Sequence, residues 1–289
     1  MFDLYVDNKN SLTSLEGALR IAISNANNFN TPGFKYSFTS FTTMYKEAIT
    51  SGTATTNPLH TGSGMTIGST STAWEQGNLG IGTSLDAAIV GEGMFMLSNS
   101  ATEFDAGSKK VYSRAGRFQV DSSNTYLTDS FGRKVFGYAL DPQGNIKSRE
   151  LVAVKTNGST DIGLSDNGIV VDGFESNKAD PSKPTVPLYQ LALATFQNKN
   201  GLILTTGAAY TSTVASGNQL KEGIAGEAVS GSDVNSYGNI LGSQLESSNV
   251  DIAKVALDMN LINRGFSAVQ AVIDDVTKII QNVMKIVGG

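Results

Sequence analysis

The sequence predicts an α+β protein in which N- and C-terminal coiled-coil helices pack together, joined by an extended linker and a discontinuous, mostly-β body. Three observations carry this. Ile252, Val255, Met259, Ile262, Phe266, Val269, Ile273, Val276, Ile280, Val283 and Val287 alternate at spacings of three and four, the period that holds an apolar seam against a partner helix. Leu12, Leu15, Leu19, Ala22, Ala26 and Phe29 repeat the same period at the other end of the chain. Between Trp74 and Tyr138 the pattern changes to short apolar runs punctuated by glycine, which reads as strands and hairpins.

The C-terminal seam is wide. With Ile252 at heptad position a, Val272, Ile279 and Ile286 fall at g, so the apolar face exceeds what a two-stranded pair covers. Asp274, Asp275, Lys278, Gln281, Asn282 and Lys285 gather on the remaining side. Such ends join copies of a chain to one another, and the termini are expected to become helical as they enter an assembly.

Composition excludes several classes. Over 289 residues only 16% are Asp, Glu, Lys or Arg and the net charge is -5, which leaves no basic face for nucleic acid. There is no cysteine, hence no disulfide and no thiolate metal site. Asp274, Asp275 and Lys278 interrupt the most apolar stretch, so no membrane insertion is expected. No cleaved secretory signal is expected either, because no basic region precedes a long apolar run at the N-terminus.

Along the chain, residues 1–33 hold the N-terminal helix. It should stop near Asn28, since Thr31, Pro32 and Gly33 form a turn in which proline restricts the preceding backbone and glycine takes positive φ. Residues 34–73, rich in Ser, Thr and Gly, read as an extended linker with a helix-like patch near Met44 to Ile49. The β body spans 74–242, with a small variable insertion at 141–187 opened by the turn Asp141-Pro-Gln-Gly144. Residues 243–289 carry the C-terminal helix.

Each candidate for chemistry has a plainer explanation. His60, the single histidine, lies in the Ser/Thr/Gly-rich linker and reads as a solvated loop residue, not a metal ligand. The run Gly77-Asn-Leu-Gly-Ile-Gly82 lacks the Lys-Ser/Thr of a phosphate loop and reads as a turn. Adjacent helical residues point about 100° apart, so Asp274 and Asp275 suit a polar face better than an acid–base pair. Asn157-Gly-Ser159, a glycosylation sequon, also reads as a turn. No catalytic, cofactor-binding or metal-binding residue is therefore assigned, and no cofactor is expected.

Five collinear segments carry a resemblance: Asn25-Ala-Asn-Asn-Phe-Asn-Thr-Pro-Gly-Phe-Lys35, Trp74-Glu-Gln-Gly-Asn-Leu79, the run from Leu85 to Phe95, Tyr112-Ser-Arg-Ala-Gly-Arg-Phe118, and Leu245-Glu-Ser-Ser-Asn-Val-Asp251. Together they resemble the bacterial flagellar rod and hook proteins. Ala88, Met94, Lys254 and the stretch Asn263-Arg-Gly-Phe266 depart from that family's usual pattern. The resemblance implies a structural, non-enzymatic subunit of the flagellar axial tube that polymerises through its terminal helices, transmits torque and surrounds the export channel. It implies copies of the chain, adjacent rod or hook proteins and the flagellar type III export apparatus as partners. The subunit would lie in the periplasm in a rod and outside the cell in a hook. Phe2 and Val6 resemble the short element with which such subunits engage the export gate. The competing class is a surface-held β-domain binding module or enzyme with helical oligomerisation ends. Removal of residues 245–289 is expected to leave a folded, monomeric body.

Overall fold

A computed structural model describes residues 2–50, 55, 59–99, 110–123, 125–217, 221–229 and 236–287. The chain runs from helix α1 (Phe2–Asn27) through strands β1 (Ser37–Thr50) and β2 (Leu59–Thr72) into a series of shorter strands with one six-residue helix, α2 (Phe174–Ala179). It ends in α3 (Ile252–Val287), 36 residues long. Two compact units result, one of residues 1–29, 36–73 and 250–289, the other of residues 30–35 and 74–249.

In the first unit α1 lies between α3 and the ribbon formed by β1 and β2. Asp251 starts α3 as its N-cap: its Oδ1 accepts from the Ala253 amide at 2.9 Å, satisfying a donor that the first turn leaves orphaned. The most buried row of α1 is Ser11, Ser14, Leu15, Ala18, Ala22 and Asn25. Leu15 and Ala22 of the expected seam are thus buried, while Leu12, Leu19 and Ala26 are only half-buried. The row is shifted toward small polar residues because α1 has a second neighbour. Ser11 Oγ accepts from the Met65 amide of β2 at 3.1 Å, and Ser14 Oγ donates to the Met65 carbonyl at 3.4 Å. Gly64 has φ +86°, and a Cβ there would stand 2.5 Å from Ser11 Oγ.

Residues 37–72 differ from expectation. The stretch from Met44 to Ile49 is not helical but belongs to β1, which pairs antiparallel with β2 from Ser37↔Thr72 to Thr50↔Leu59. Its Ser and Thr are at home on a strand with a paired ladder, whereas composition alone reads the stretch as an extended linker. His60 falls on β2 opposite Ala48, not in a loop; its side chain lies outside the described residues.

The second unit is built on antiparallel strands in the spatial order Ile162–Leu164, Ile169–Asp172, Val186–Leu191, Lys134–Ala139, Met94–Ser98, Lys110–Ser113, Ala209–Thr211 and Ile203–Thr205. Strand Met94–Ser98 shows why its sequence is a continuous apolar run. Phe95 and Leu97 enter one core cluster with Ile89, Val135 and Leu193, while Met94 and Met96 enter another with Tyr112, Phe136 and Tyr210. Successive side chains point to opposite faces, and both faces are covered. Residues 141–187 are not an appended loop region: three strands between Ile162 and Leu191 continue the sheet beyond Lys134–Ala139. Gly77 to Gly82 is likewise no simple turn, because Leu79–Ile81 pairs with Gln244–Glu246. That pairing carries the second unit past residue 242, the expected end of the body, to residue 249.

Gly116 lies where backbone meets backbone, since a Cβ there would fall 1.6 Å from the Ala87 carbonyl oxygen. Gly116→Ala is expected to destabilise the second unit by more than about 2 kcal/mol in urea unfolding. Gly80→Ala, whose Cβ would stand 4.0 Å from the Leu245 carbonyl oxygen, is expected to leave the midpoint close to wild type.

Candidate assembly surface and buried charge cluster

The residues of the expected seam lie in the first unit. On α3, Val255 and Val276 are buried, and Met259, Ile262, Phe266, Val269, Ile273 and Ile280 are half-buried. Ile252 and Val283 are exposed, contrary to a uniform seam, and the side chain of Val287 lies outside the described residues. Drift explains the loss of Val283: at 100° per residue a strict heptad row rotates about 20° per repeat around the helix. Gly265 sits against Leu15, where a Cβ would meet Cδ2 at 3.4 Å, so the glycine gives close helix contact without a hard steric requirement.

A second apolar stripe runs along α3. Leu257, Leu261, Ala268, Val272, Ile279 and Ile286 fall within about 60° of one another around the helix, and all are exposed. Leu257 and Leu261 are 58% and 56% exposed, and Ile286 81%. The expected g residues Val272, Ile279 and Ile286 therefore extend into a face that reaches the start of the helix. Asp274, Asp275, Lys278, Gln281, Asn282 and Lys285 are also exposed.

Beside the stripe lies an apolar groove of about 190 Å³, lined by Ala18, Ile21, Ala22, Phe38, Phe41 and Leu261 among others. Polar contacts hold its walls. Asn25 exchanges two hydrogen bonds with the Ser37 backbone, donating to the carbonyl at 2.6 Å and accepting from the amide at 2.9 Å. Tyr36 donates to Asp258 Oδ2 at 2.5 Å, and Lys254 Nζ stands 4.4 Å from the Tyr36 ring centroid. Burial and the adjacent Asp258 carboxylate both push the Tyr36 phenol upward from its ordinary pKa.

Val6 lies exposed on α1; Phe2 belongs to the same helix, but its side chain is outside the described residues. Asn28 caps the end of α1 by donating its side-chain amide to the Ser24 carbonyl at 2.8 Å. In the second unit the Phe34 amide donates to the Thr31 carbonyl across Pro32 and Gly33, and Gly33 has φ +67°, as the turn requires.

That turn delivers Lys35 into a buried charge cluster. Lys35 and Glu246 are both 0% exposed and Arg114 is 5% exposed. Lys35 Nζ donates to Glu246 Oε1 at 2.6 Å and to the Glu75 carbonyl at 2.7 Å. Arg114 Nε donates to Glu246 Oε2 at 3.0 Å, and its remaining nitrogens reach the carbonyls of Ile89, Gly91 and Gly93. The Gly77 amide supplies Glu246 Oε1 with a further donor at 2.9 Å. Two glycines admit this closeness: a Cβ on Gly77 would lie 2.0 Å from the Ser247 carbonyl oxygen, and one on Gly33 would lie 2.3 Å from the Ala115 nitrogen.

None of Lys35, Arg114 or Glu246 is singled out by the sequence as a site, although each lies within a family-like segment. The available signal was a lone charge among small or apolar neighbours, in Gly-Phe-Lys35, Ser-Arg114-Ala-Gly and Leu-Glu246-Ser. Asn25, Leu257 and Leu261 were also missed.

No family model matches the chain. Among curated proteins, the flagellar basal-body rod protein FlgG of Bacillus subtilis (strain 168) is 26% identical over 283 residues, 95% of each chain. FlgG of Borreliella burgdorferi is 30% identical over 251 residues, covering 84% of this chain and 83% of its own length. The flagellar hook protein FlgE of Helicobacter pylori (strain 26695) is 30% identical over 127 residues, which cover 42% of this chain and 16% of the hook protein.

The cluster buries two cations with one carboxylate. Desolvation pulls the Lys35 ammonium below its ordinary pKa of 10.5, with Arg114 and Lys199 adding to the effect and Glu246 opposing it. Lys35→Met, which leaves Arg114 and Glu246 as a balanced pair, is expected to change stability at pH 7 by no more than about 1 kcal/mol. Between the lowered folded value and 10.5 the unfolded chain binds more protons, so the wild type gains stability relative to the variant as pH rises toward 10.5. Urea unfolding of both proteins across that range checks the sign.

Proposed function

The chain belongs to the family of flagellar basal-body rod proteins FlgG, and on that premise we propose that it is a rod subunit that polymerises through its first unit. The observation that carries the rod assignment is coverage: the match to rod proteins runs over nearly the whole of both chains, whereas the match to the hook proteins is partial. As a member of that family the chain is a structural, non-enzymatic component of the flagellum.

The assembly surface we propose comprises the seam and the exposed stripe of α3. One apolar face of α3 is met by α1 within the same copy, and the other, from Leu257 to Ile286, remains open. Exposed apolar surface of this extent marks a binding face. Copies of the chain are the proposed occupants, arranged by head-to-tail contacts that repeat without closing and so generate a helical tube. The polar residues from Asp274 to Lys285 then face the lumen through which later subunits pass. Torque is carried between copies by these contacts. Adjacent axial proteins cap the polymer, and Phe2 with Val6 engages the export apparatus.

Val272→Lys combined with Ile279→Lys places two charges on the open stripe. The variant is expected to keep the wild-type unfolding midpoint of the second unit while losing polymer formation and motility. Normal polymers from this double variant would overturn the surface assignment. Electron microscopy of the wild-type assembly is expected to show a straight polymer, as a rod requires; a supercoiled one would favour a hook.

The truncation expected from sequence needs a different end point. Glu246 is buried in the second unit, so removing residues 245–289 would strip the cluster of the carboxylate that pairs with both Lys35 and Arg114. A chain ending at Asn249 retains it and is expected to keep the second unit folded and monomeric, as sedimentation and thermal unfolding would show.

A further inference from the structure

The cluster has an order in the chain as well as a place in the fold. Lys35 and Arg114 lie 211 and 132 residues before Glu246. Every buried residue of the two core clusters also precedes Glu246, the last being Ile240. A chain delivered N-terminus first therefore presents the whole apolar core and both cations before their counter-ion. Closing that core early would bury an ammonium and a guanidinium without the carboxylate, at a cost of several kcal/mol per ion, comparable to the whole stability of a typical domain.

The same late segment supplies other closing contacts. Gln244–Glu246 is the partner strand of Leu79–Ile81, and the Ser243 amide donates to the Asp86 carbonyl at 2.9 Å. The Gly33 amide reaches the Glu246 carbonyl at 2.9 Å, which ties the first residues of the unit to the last.

We propose that Glu246 is a late-delivered counter-ion latch: the second unit cannot complete its fold until this carboxylate arrives, so a chain in transit stays open until nearly all of it has emerged. This rests on the reading of the protein as an exported axial subunit. The latch itself is a property of the isolated chain.

The test is stopped-flow refolding and unfolding of the full-length protein from urea, read by Trp74, the single tryptophan, whose ring packs tilted against that of Tyr210, centroids 4.9 Å apart, within the second unit. Glu246→Gln is expected to lower the folding equilibrium constant roughly 100- to 1,000-fold, with most of the loss in the folding rate. Adding Lys35→Met to Glu246→Gln removes one of the two uncompensated cations and is expected to recover at least about tenfold of that loss. This second variant also decides the matter if Glu246→Gln alone does not fold. Wild-type refolding by Glu246→Gln with only faster unfolding would mean that the core closes before the carboxylate docks, and would overturn the latch. Failure of Lys35→Met to recover anything would overturn its charge basis. Neither result bears on polymer formation, which the stripe variants test separately.

Discussion

The Glu246 carboxylate and its two buried cations are the constraint around which the second unit is organised. Three stretches distant in sequence, ending in Lys35, beginning at Trp74 and running through Glu246 to Asn249, meet there through side chain and backbone alike. Glu75 offers one carbonyl to both Lys35 Nζ and Asn249 Nδ2. The Asn249 amide donates to the Phe34 carbonyl, and the Ser247 amide to that of Asn78. These are also the stretches in which the chain passes between the two units. Their mutual register is set by directional, charge-assisted bonds, which tolerate displacement far less than apolar contact does.

An ionic cluster is a costly way to hold a core together. Two desolvated cations and one anion would be expected to stabilise less than a well-fitted apolar set of the same volume. What the cluster provides is exclusivity. Arg114 fills its guanidinium with one carboxylate oxygen and three carbonyls, so a neighbouring register would leave several donors unmet at once. Glycine at 33, 77 and 116 follows from the same close approach of backbones. Segments that looked like separate signatures in the sequence are thus one object in space.

That explains what could be read in the sequence and what could not. Periodicity made α3 and its seam legible, and the Thr31-Pro32-Gly33 turn followed from local backbone chemistry. Both are short-range properties. The ribbon of β1 and β2 was not legible, because its Ser, Thr and Gly residues read as linker until a partner strand and the serines of α1 are supplied. The α1 row was displaced by one step for the same reason: Ser11 and Asn25 are buried by hydrogen bonds to residues 65 and 37, which hydrophobicity cannot foresee. Residues 141–187 looked irregular because each strand there is short, and only pairing reveals that they extend one sheet. The cluster depends on contacts across more than a hundred residues, and a single sequence records no such pairing.

The two units leave opposite kinds of surface chemistry unresolved. In the second, the cluster is satisfied internally and the strands near it are covered on both faces. In the first, α3 is apolar on two sides and α1 covers one of them. A helix with such a profile loses little by being ordered only when a neighbour supplies the missing cover, because the burial of the outer stripe then offsets the entropy of holding 36 residues in one conformation. Folding of the body and joining of copies are in this way assigned to different residues. Charge pairing within one chain governs the first, and apolar burial between chains the second. A substitution in the cluster should therefore act on the subunit before it acts on the polymer, and a substitution on the stripe should do the reverse.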